Sequence, residues 1–227
     1  MTTLVRDDAR WLTEDVISWG LGREGTLAIS ISTQRGGLVL LHQILQIKVD
    51  IAVLFLDTGY HFQETLEFRD ELAARWSLNL ITLRPRVSRQ ELETVRGMVY
   101  ETNPDACCNE RKVEVLREAL ADYSVWFTAL RRGQSASRHD TPKVERYEQS
   151  DTHTLYKVNP LVEWTFDDIA TYTREHDIPE HPLYAEGYSS VGCAPCTVPT
   201  FGAGDSRDGR WNGRKVECGL HIRVTAE

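Results

Sequence analysis

Thr26-Leu27-Ala28-Ile29-Ser30-Ile31-Ser32-Thr33-Gln34-Arg35-Gly36-Gly37 opens on small and β-branched apolar residues and closes on hydroxyls and a glycine pair. The first six residues read as a short buried strand, and 32–37 as the turn that leaves it. An apolar helix pattern over 38–47 follows, then a second strand over 51–56 that stops at Asp57-Thr58-Gly59. Strand, turn, helix and strand in that order form the repeating unit of a parallel sheet.

The same alternation continues on both sides. A helix is expected over 62–76, a third strand over 79–83, a helix over 109–120 and a fourth strand over 124–130. Thr13 reads as the cap of an early helix whose first turn is acidic. The polar stretch 131–142 is a loop, 143–158 a hairpin and 165–176 a helix. Beyond 179, glycine, proline and serine dominate and periodicity fades. The expected fold is α/β, doubly wound on a mostly parallel sheet. It comprises one domain over 1–206 and a mobile C-terminal tail over 207–227.

With 227 residues, 41% of them apolar and 26% charged, the chain can build one large domain with a well-solvated surface. No apolar run approaches the roughly 18 residues of a membrane span. The N-terminus lacks the apolar core of a signal peptide, so a cytoplasmic protein is expected. Structural disulfides are uncommon in that compartment. A net charge of −8 argues against nucleic acid as a partner. Local basic groups at 111–112, 131–132 and 207–214 instead suit a small anionic ligand.

Two turns, 30–37 and 57–59, fall at the carboxyl edge of the expected sheet, where such sheets bind ligands. A helix N-terminus with neighbouring hydroxyls can hold phosphate or sulfate there. No Gly-Lys-Ser/Thr follows, so the turn is not a Walker loop.

The five cysteines divide into four and one. Cys107 and Cys108 are adjacent and cannot easily bond to each other, which implies an outside partner. Cys193 and Cys196 form a Cys-x-x-Cys. Four soft thiolates in two close groups suit an iron–sulfur cluster, with zinc as the alternative. A [4Fe-4S] centre with four thiolates would be offset by a helix N-terminus at 109 and by Lys112. Cys218 stands alone, with His221 and Arg223 close by in sequence; neighbouring cations favour a nucleophilic thiolate. His139, His153, His176 and His181 form no pattern.

These segments together resemble the sulfonucleotide reductases, and within them the iron–sulfur adenylyl-sulfate (APS) reductases of sulfate assimilation and cysteine biosynthesis. The resemblance rests on Leu56-Asp57-Thr58-Gly59, Cys107-Cys108-Asn109-Glu110-Arg111-Lys112-Val113-Glu114 and Leu130-Arg131-Arg132-Gly133-Gln134-Ser135. Asn159-Pro160-Leu161 with Trp164, Gly187-Tyr188-Ser189-Ser190-Val191-Gly192-Cys193-Ala194-Pro195-Cys196 and Glu217-Cys218-Gly219-Leu220-His221 complete it.

The resemblance implies an adenine-nucleotide α-hydrolase-like sheet. It also implies a [4Fe-4S] cluster on Cys107, Cys108, Cys193 and Cys196 that organises the site without shuttling electrons. Cys218 is expected to attack the sulfur of APS, release AMP and become S-sulfocysteine, from which thioredoxin or a glutaredoxin-like dithiol frees sulfite. The expected substrate contacts are Ser30, Ser32, Thr33, Gln34, Arg35, Gly36, Asp57, Thr58, Gly59, Lys112, Arg131, Arg132, His221 and Arg223. One departure stands out. The family's first loop commonly carries acids where this chain has Arg35, and an arginine there suits the 3′-phosphate of PAPS. The four cluster cysteines favour APS. A homo-oligomer is left open. Two other readings are a nucleotide-binding protein with structural zinc and an adenylating or pyrophosphatase-type enzyme; the latter lacks its Ser-Gly-Gly-x-Asp-Ser loop.

Overall fold

The computed structural model describes residues 2–6, 10–150, 153–202 and 207–221. Its centre is a seven-stranded sheet in the order β1-β6-β7-β5-β2-β3-β4. The strands are β1 (Thr2–Arg6), β2 (Leu27–Ile31), β3 (Ala52–Leu56), β4 (Asn79–Leu83), β5 (Val125–Phe127), β6 (Val144–Ser150) and β7 (His153–Val158). From β7 across to β4 every neighbouring pair is parallel. The antiparallel pairs β6–β7 and β1–β6 extend one edge. The fold is therefore α/β and mostly parallel, as the alternation at 26–56 requires.

Burial along the strands alternates between two covered faces. Ile29, Val53, Phe55 and Phe127 pack into one core with Val39, Leu40 and Leu41 of α2 (Arg35–Leu45) and Val16 and Ile17 of α1 (Thr13–Leu21). Ile169 of α8 (Phe166–Glu175) joins the same core. Ala28, Leu54 and Trp126 face the other way, against Leu116 and Leu120 of α7 (Glu114–Leu120). Period-2 residues buried on both faces are what a doubly wound sheet demands. Phe68 and Leu72 of α3 (Gln63–Arg75) pack on Leu38 of α2. The short helices α4 (Arg89–Arg96) and α5 (Val99–Thr102) follow β4. Truncating a fully buried core residue such as Leu40 to alanine costs about 2–5 kcal/mol.

Four local features depart from expectation. Leu12, not Thr13, caps α1: its N–H donates to Asp15 at 2.9 Å, while the Thr13 hydroxyl accepts from the Trp164 indole at 2.7 Å. β1, which sequence periodicity did not suggest, pairs with β6 roughly 140 residues away. The strand expected over 124–130 is confined to Val125–Phe127. The helix expected from 109 begins earlier, as α6 (Pro104–Cys108), where Asn103 accepts from the Ala106 N–H at 3.0 Å and Pro104 sits in the first turn. It runs through a π-helical turn, Asn109–Val113, into α7. The helix N-terminus expected at 109 therefore lies instead at Pro104, and Cys107 and Cys108 close this first helical segment. No helix among the described residues is long and apolar enough to cross a membrane.

His181 ties α3 to the chain that follows α8. Its Nε2–H donates to the Thr65 hydroxyl at 2.9 Å, and its Nδ1 accepts from the Leu183 N–H at 3.2 Å. Burial pushes its pKa down from 6.5 to about 4, despite the pull of Glu64. A neutral buried histidine stabilises the fold above its unfolded pKa, and that contribution is lost as pH falls from 6.5 toward 4. Melting temperature should accordingly fall across that window, with a shallower slope in His181→Gln. Parallel slopes in the two proteins would contradict this.

Candidate active site

The carboxyl ends of β2, β3 and β5 open onto one cavity. Ser30, Ser32, Gln34, Gly36 and Gly37 form its wall after β2. Thr33, fully buried, has φ +57° and turns the chain there; the left-handed region is costly for a β-branched residue and tends to persist at functional sites. That turn sets the N-terminus of α2, an eleven-residue helix, against the cavity. The Ser30 hydroxyl is engaged from below by the Trp126 indole N–H at 2.8 Å.

Four cationic side chains reach the same cavity: Lys112, Arg138, Arg207 and Arg210. On a chain of net charge −8, that concentration equips the cavity to hold an anion. Three buried polar atoms on side chains lining the cavity have no partner among the described residues: Nδ1 of His61, Nε of Arg210 and Nδ1 of His221. His61 donates through Nε2 to the Leu56 carbonyl at 2.7 Å, so its Nδ1 carries a lone pair. His221 stacks on Trp126 with ring centroids 5.6 Å apart. Burial, then Lys157, Arg138 and Arg207, press its pKa well below 6.5, leaving the ring neutral. Leaving such atoms unsatisfied costs about 1–3 kcal/mol each, a cost that a polar ligand removes.

A second, smaller cavity adjoins the first and is ringed by Cys107, Cys108, Cys193 and Cys196. All four are buried and unpaired by disulfides. The Asp57-Thr58-Gly59 turn brings the two pairs together. The Thr58 hydroxyl lies 3.4 Å from the Cys193 sulfur, and the Ala194 N–H donates to the Tyr60 carbonyl at 2.7 Å. On the other side Arg111, buried by the π-helical turn, donates to the Thr58 carbonyl at 2.6 Å and to the Val87 carbonyl at 3.0 Å. Gly59 adopts φ +75°, which suits glycine at this crossing.

The thiols differ in their electrostatics. Burial, then Cys108, Cys193 and Cys196, push Cys107 up to about 12. Burial likewise raises Cys108 and Cys196. At Cys193 burial acts in the same direction but is outweighed by Lys112, the Thr58 hydroxyl and Arg210, which together hold its pKa below the ordinary thiol value. Four such thiols can be deprotonated together only around a cationic centre.

Lys112 lines both cavities. Burial disfavours its charge, but Cys193, Cys218 and Cys108 more than compensate and raise its pKa. The ammonium therefore stands between the four-cysteine nest and Cys218. The latter is half-buried and lies against the same apolar cluster as the four. Gly219 adopts φ +94°, and a Cβ there would approach Val113 to 3.2 Å.

The C-terminal segment is docked here by polar ties. Arg210 donates to the Val191 carbonyl at 3.3 Å, Arg214 to the Tyr100 carbonyl at 3.3 Å, and Lys215 pairs with Asp105. The boundary drawn at residue 206, and Arg223, lie outside the described residues.

Of the expected substrate contacts, Ser30, Ser32, Gln34, Gly36, Lys112 and His221 line the main cavity. Thr33 shapes it without facing it, its hydroxyl donating to the Ser32 carbonyl at 2.6 Å. Thr58 lines the cysteine cavity; Asp57 pairs with Arg84 at 3.1 Å and accepts from the Gly59 N–H at 3.0 Å. Arg35 turns away to Glu180 and stacks on Tyr184 at 3.6 Å. Arg131 and Arg132 also point elsewhere. Arg131 donates to the Trp164 carbonyl at 3.4 Å, and Arg132 to the Thr141 carbonyl at 3.0 Å and to Glu163 at 3.2 Å. The cations that do face the cavity include Arg138, six residues past Arg132, and Arg207 and Arg210 from the basic group at 207–214.

The model of the phosphoadenosine phosphosulfate reductase domain matches residues 26–199. An adenosine 5′-phosphosulfate reductase of Bacillus velezensis is 40% identical over 223 residues, covering 96% of this chain and 94% of that protein. One from Bacillus cereus strain Q1 is 43% identical over 190 residues, covering 82% and 80%. Among solved structures, a phosphoadenylyl-sulfate reductase from Candida auris in complex with phosphate superposes with a TM-score of 0.71 at 26% identity, covering 84% of this chain and 92% of that one. The U34-tRNA thiolase NcsA of Methanococcus maripaludis, solved with its [4Fe-4S] cluster, shares the fold at a TM-score of 0.57 and 10% identity, covering 82% of this chain and 66% of that one.

Proposed function

The chain belongs to the phosphoadenosine phosphosulfate reductase family, and on that premise we propose that it reduces adenylyl sulfate to sulfite and AMP. The observation that carries this reading is one thiol, Cys218, on the wall of a cavity that also presents Lys112, Arg138, Arg207, Arg210 and the N-terminus of α2. A phosphosulfate is an anhydride with a good leaving group, so a thiolate and charge neutralisation are the chemistry required.

The Cys218 thiolate attacks the sulfur of APS. An S–S bond forms, the S–O bond to AMP breaks, and the electron pair leaves on the phosphate oxygen of AMP. The cationic side chains offset the charge of sulfate and phosphate throughout. A thiolate of a thioredoxin-type or glutaredoxin-like dithiol then attacks the Cys218 sulfur and expels sulfite. The second thiol of the dithiol displaces Cys218 from the mixed disulfide, so the reductant leaves oxidised and the Cys218 thiol is restored. Opening of the segment from 207 lets that reductant reach Cys218. Protease protection beyond Arg207 should therefore differ between the AMP-bound and free enzyme.

The four cysteines would hold a [4Fe-4S] cluster. All four thiols surround one cavity. Four soft thiolates in two close groups, one of them a vicinal pair, favour an iron–sulfur centre over one tetrahedral zinc. When bound, the cluster would supply a fixed charge balanced by Lys112. Cys193→Ser should abolish the brown colour and the bound iron of anaerobically purified protein. Zinc at one equivalent in the wild type would contradict the assignment.

The pairing of Arg35 with Glu180 supports APS over PAPS, because the cation expected to meet a 3′-phosphate is already neutralised and turned from the cavity. The test is sulfite production with reduced thioredoxin on each nucleotide. A kcat/KM for APS at least about tenfold above that for PAPS is expected, about 1.4 kcal/mol of discrimination. Equal values would assign dual specificity. Sulfite from neither nucleotide would overturn the reaction.

A further inference from the structure

Glu217, the residue before Cys218, is buried among cations and hydroxyls. Arg138 grips it with two bonds, Nε to Oε1 and Nη2 to Oε2, each 2.8 Å. Ser135 donates to Oε1 at 2.9 Å, Ser137 donates to the same oxygen at 3.3 Å, and Arg207 lies 3.6 Å from Oε2. We propose that Glu217 is a positioning residue: its carboxylate latches the C-terminal segment into the Arg138–Ser135–Ser137–Arg207 cradle and thereby holds the Cys218 thiol over the nucleotide cavity. The inference rests on the reaction proposed above for Cys218.

Geometry carries it. Adjacent Cα atoms are about 3.8 Å apart, so fixing Glu217 restrains Cys218 directly. On the other side of Cys218 the chain passes through Gly219 at φ +94° before Leu220 and His221 pack by apolar and stacking contacts against Trp126, so the charged, directional grip next to the thiol comes from Glu217. The other ties just upstream are weaker: Lys215 pairs with Asp105, whose side chain is 81% exposed, while Arg214 and Arg207 donate to the Tyr100 and Val216 carbonyls at 3.3 Å. The Glu217 pair is buried on both sides, at 8% and 9% exposure, and bidentate guanidinium–carboxylate bonding fixes direction as well as distance. Burial alone would raise the Glu217 pKa, yet Arg138, Arg207 and Ser135 lower it, so the latch is charged at neutral pH. Arg138 and Arg207 also line the cavity, which places the latch and the anion site on shared cations.

Cluster-loaded wild type, Glu217→Gln and Glu217→Asp are compared anaerobically by three readouts. These are iodoacetamide alkylation of Cys218, the single-turnover rate at which APS adds SO₃ to Cys218, and AMP affinity. In E217Q alkylation should rise and SO₃ transfer should fall, each at least about tenfold, while AMP affinity should not fall, because the freed Arg138 and Arg207 remain on the cavity wall. E217D keeps the charge and should recover much of the loss, which a role in packing alone would not produce because aspartate fills less space than glutamine. Ser135→Ala, which removes one hydrogen bond and no charge, should move both rates less and in the same directions, and decides the matter if E217Q does not fold. Unchanged rates, or faster SO₃ transfer in E217Q, overturn the latch. A wild type that gains no SO₃ overturns the proposed reaction instead, and alkylation alone then decides the latch.

Discussion

Cys218→Ser is expected to release no sulfite above background while still binding AMP. A serine hydroxyl is far less ionised at neutral pH than a thiol, and the neighbouring His221, stacked on Trp126 with its charged form strongly disfavoured, is a poor acceptor for its proton. An oxygen nucleophile would also give a sulfate ester, from which a dithiol cannot expel sulfite. Loss of a covalent nucleophile typically costs about 10⁴-fold or more in turnover. Single-turnover assays with APS and excess reduced thioredoxin measure this, with AMP titration as the control for an intact cavity. Turnover within tenfold of wild type would remove Cys218 from the chemistry.

The second large effect is expected at Lys112. Its ammonium is the group shared by the four-cysteine nest and the main cavity. The thiols around it raise its pKa although burial alone would lower it, so it is charged across the working range and offsets the surrounding negative charge. Lys112→Gln keeps a polar, hydrogen-bonding side chain, one bond shorter, and removes the charge. Removing one preorganised electrostatic contact from a reaction of this kind costs about 10²–10³-fold, or about 2.7–4 kcal/mol. SO₃ transfer to Cys218 should slow by that factor. If the rate in K112Q stays within twofold of wild type, Lys112 is a structural neighbour of the thiols and nothing more.

The fold was readable where local pattern and tertiary demand agree. The segment over 26–56 is apolar with β-branched residues, is punctuated by turn residues, and is buried on both faces in the folded chain. β1 was not readable because its register is set by a partner strand distant in sequence. The Asn103-Pro104 pair carries the signal for the helix leading to the cysteines, a capping residue followed by proline in the first turn. The four cysteines were legible as a group because their chemistry is specific and their spacing unusual.

The cations were only half legible. Arg131, Arg132 and Arg138 lie in one polar stretch, and composition cannot distinguish an arginine that faces a carbonyl behind the sheet from one that faces the cavity. Contacts such as Arg138–Glu217, between residues 79 apart, exist only once β5 and the C-terminal segment have met. The Asp57-Thr58-Gly59 turn sits at the expected edge of the sheet, but its bonds run to Cys193 and Arg111, a role that its position alone could not reveal.

The decisive measurement is the mass of the peptide carrying Cys218 after anaerobic incubation of the enzyme with APS, and again after reduced thioredoxin is added. One SO₃ should appear on Cys218 as AMP is released, and should disappear as sulfite forms. Sulfite produced while that peptide never changes mass would contradict the account at its root.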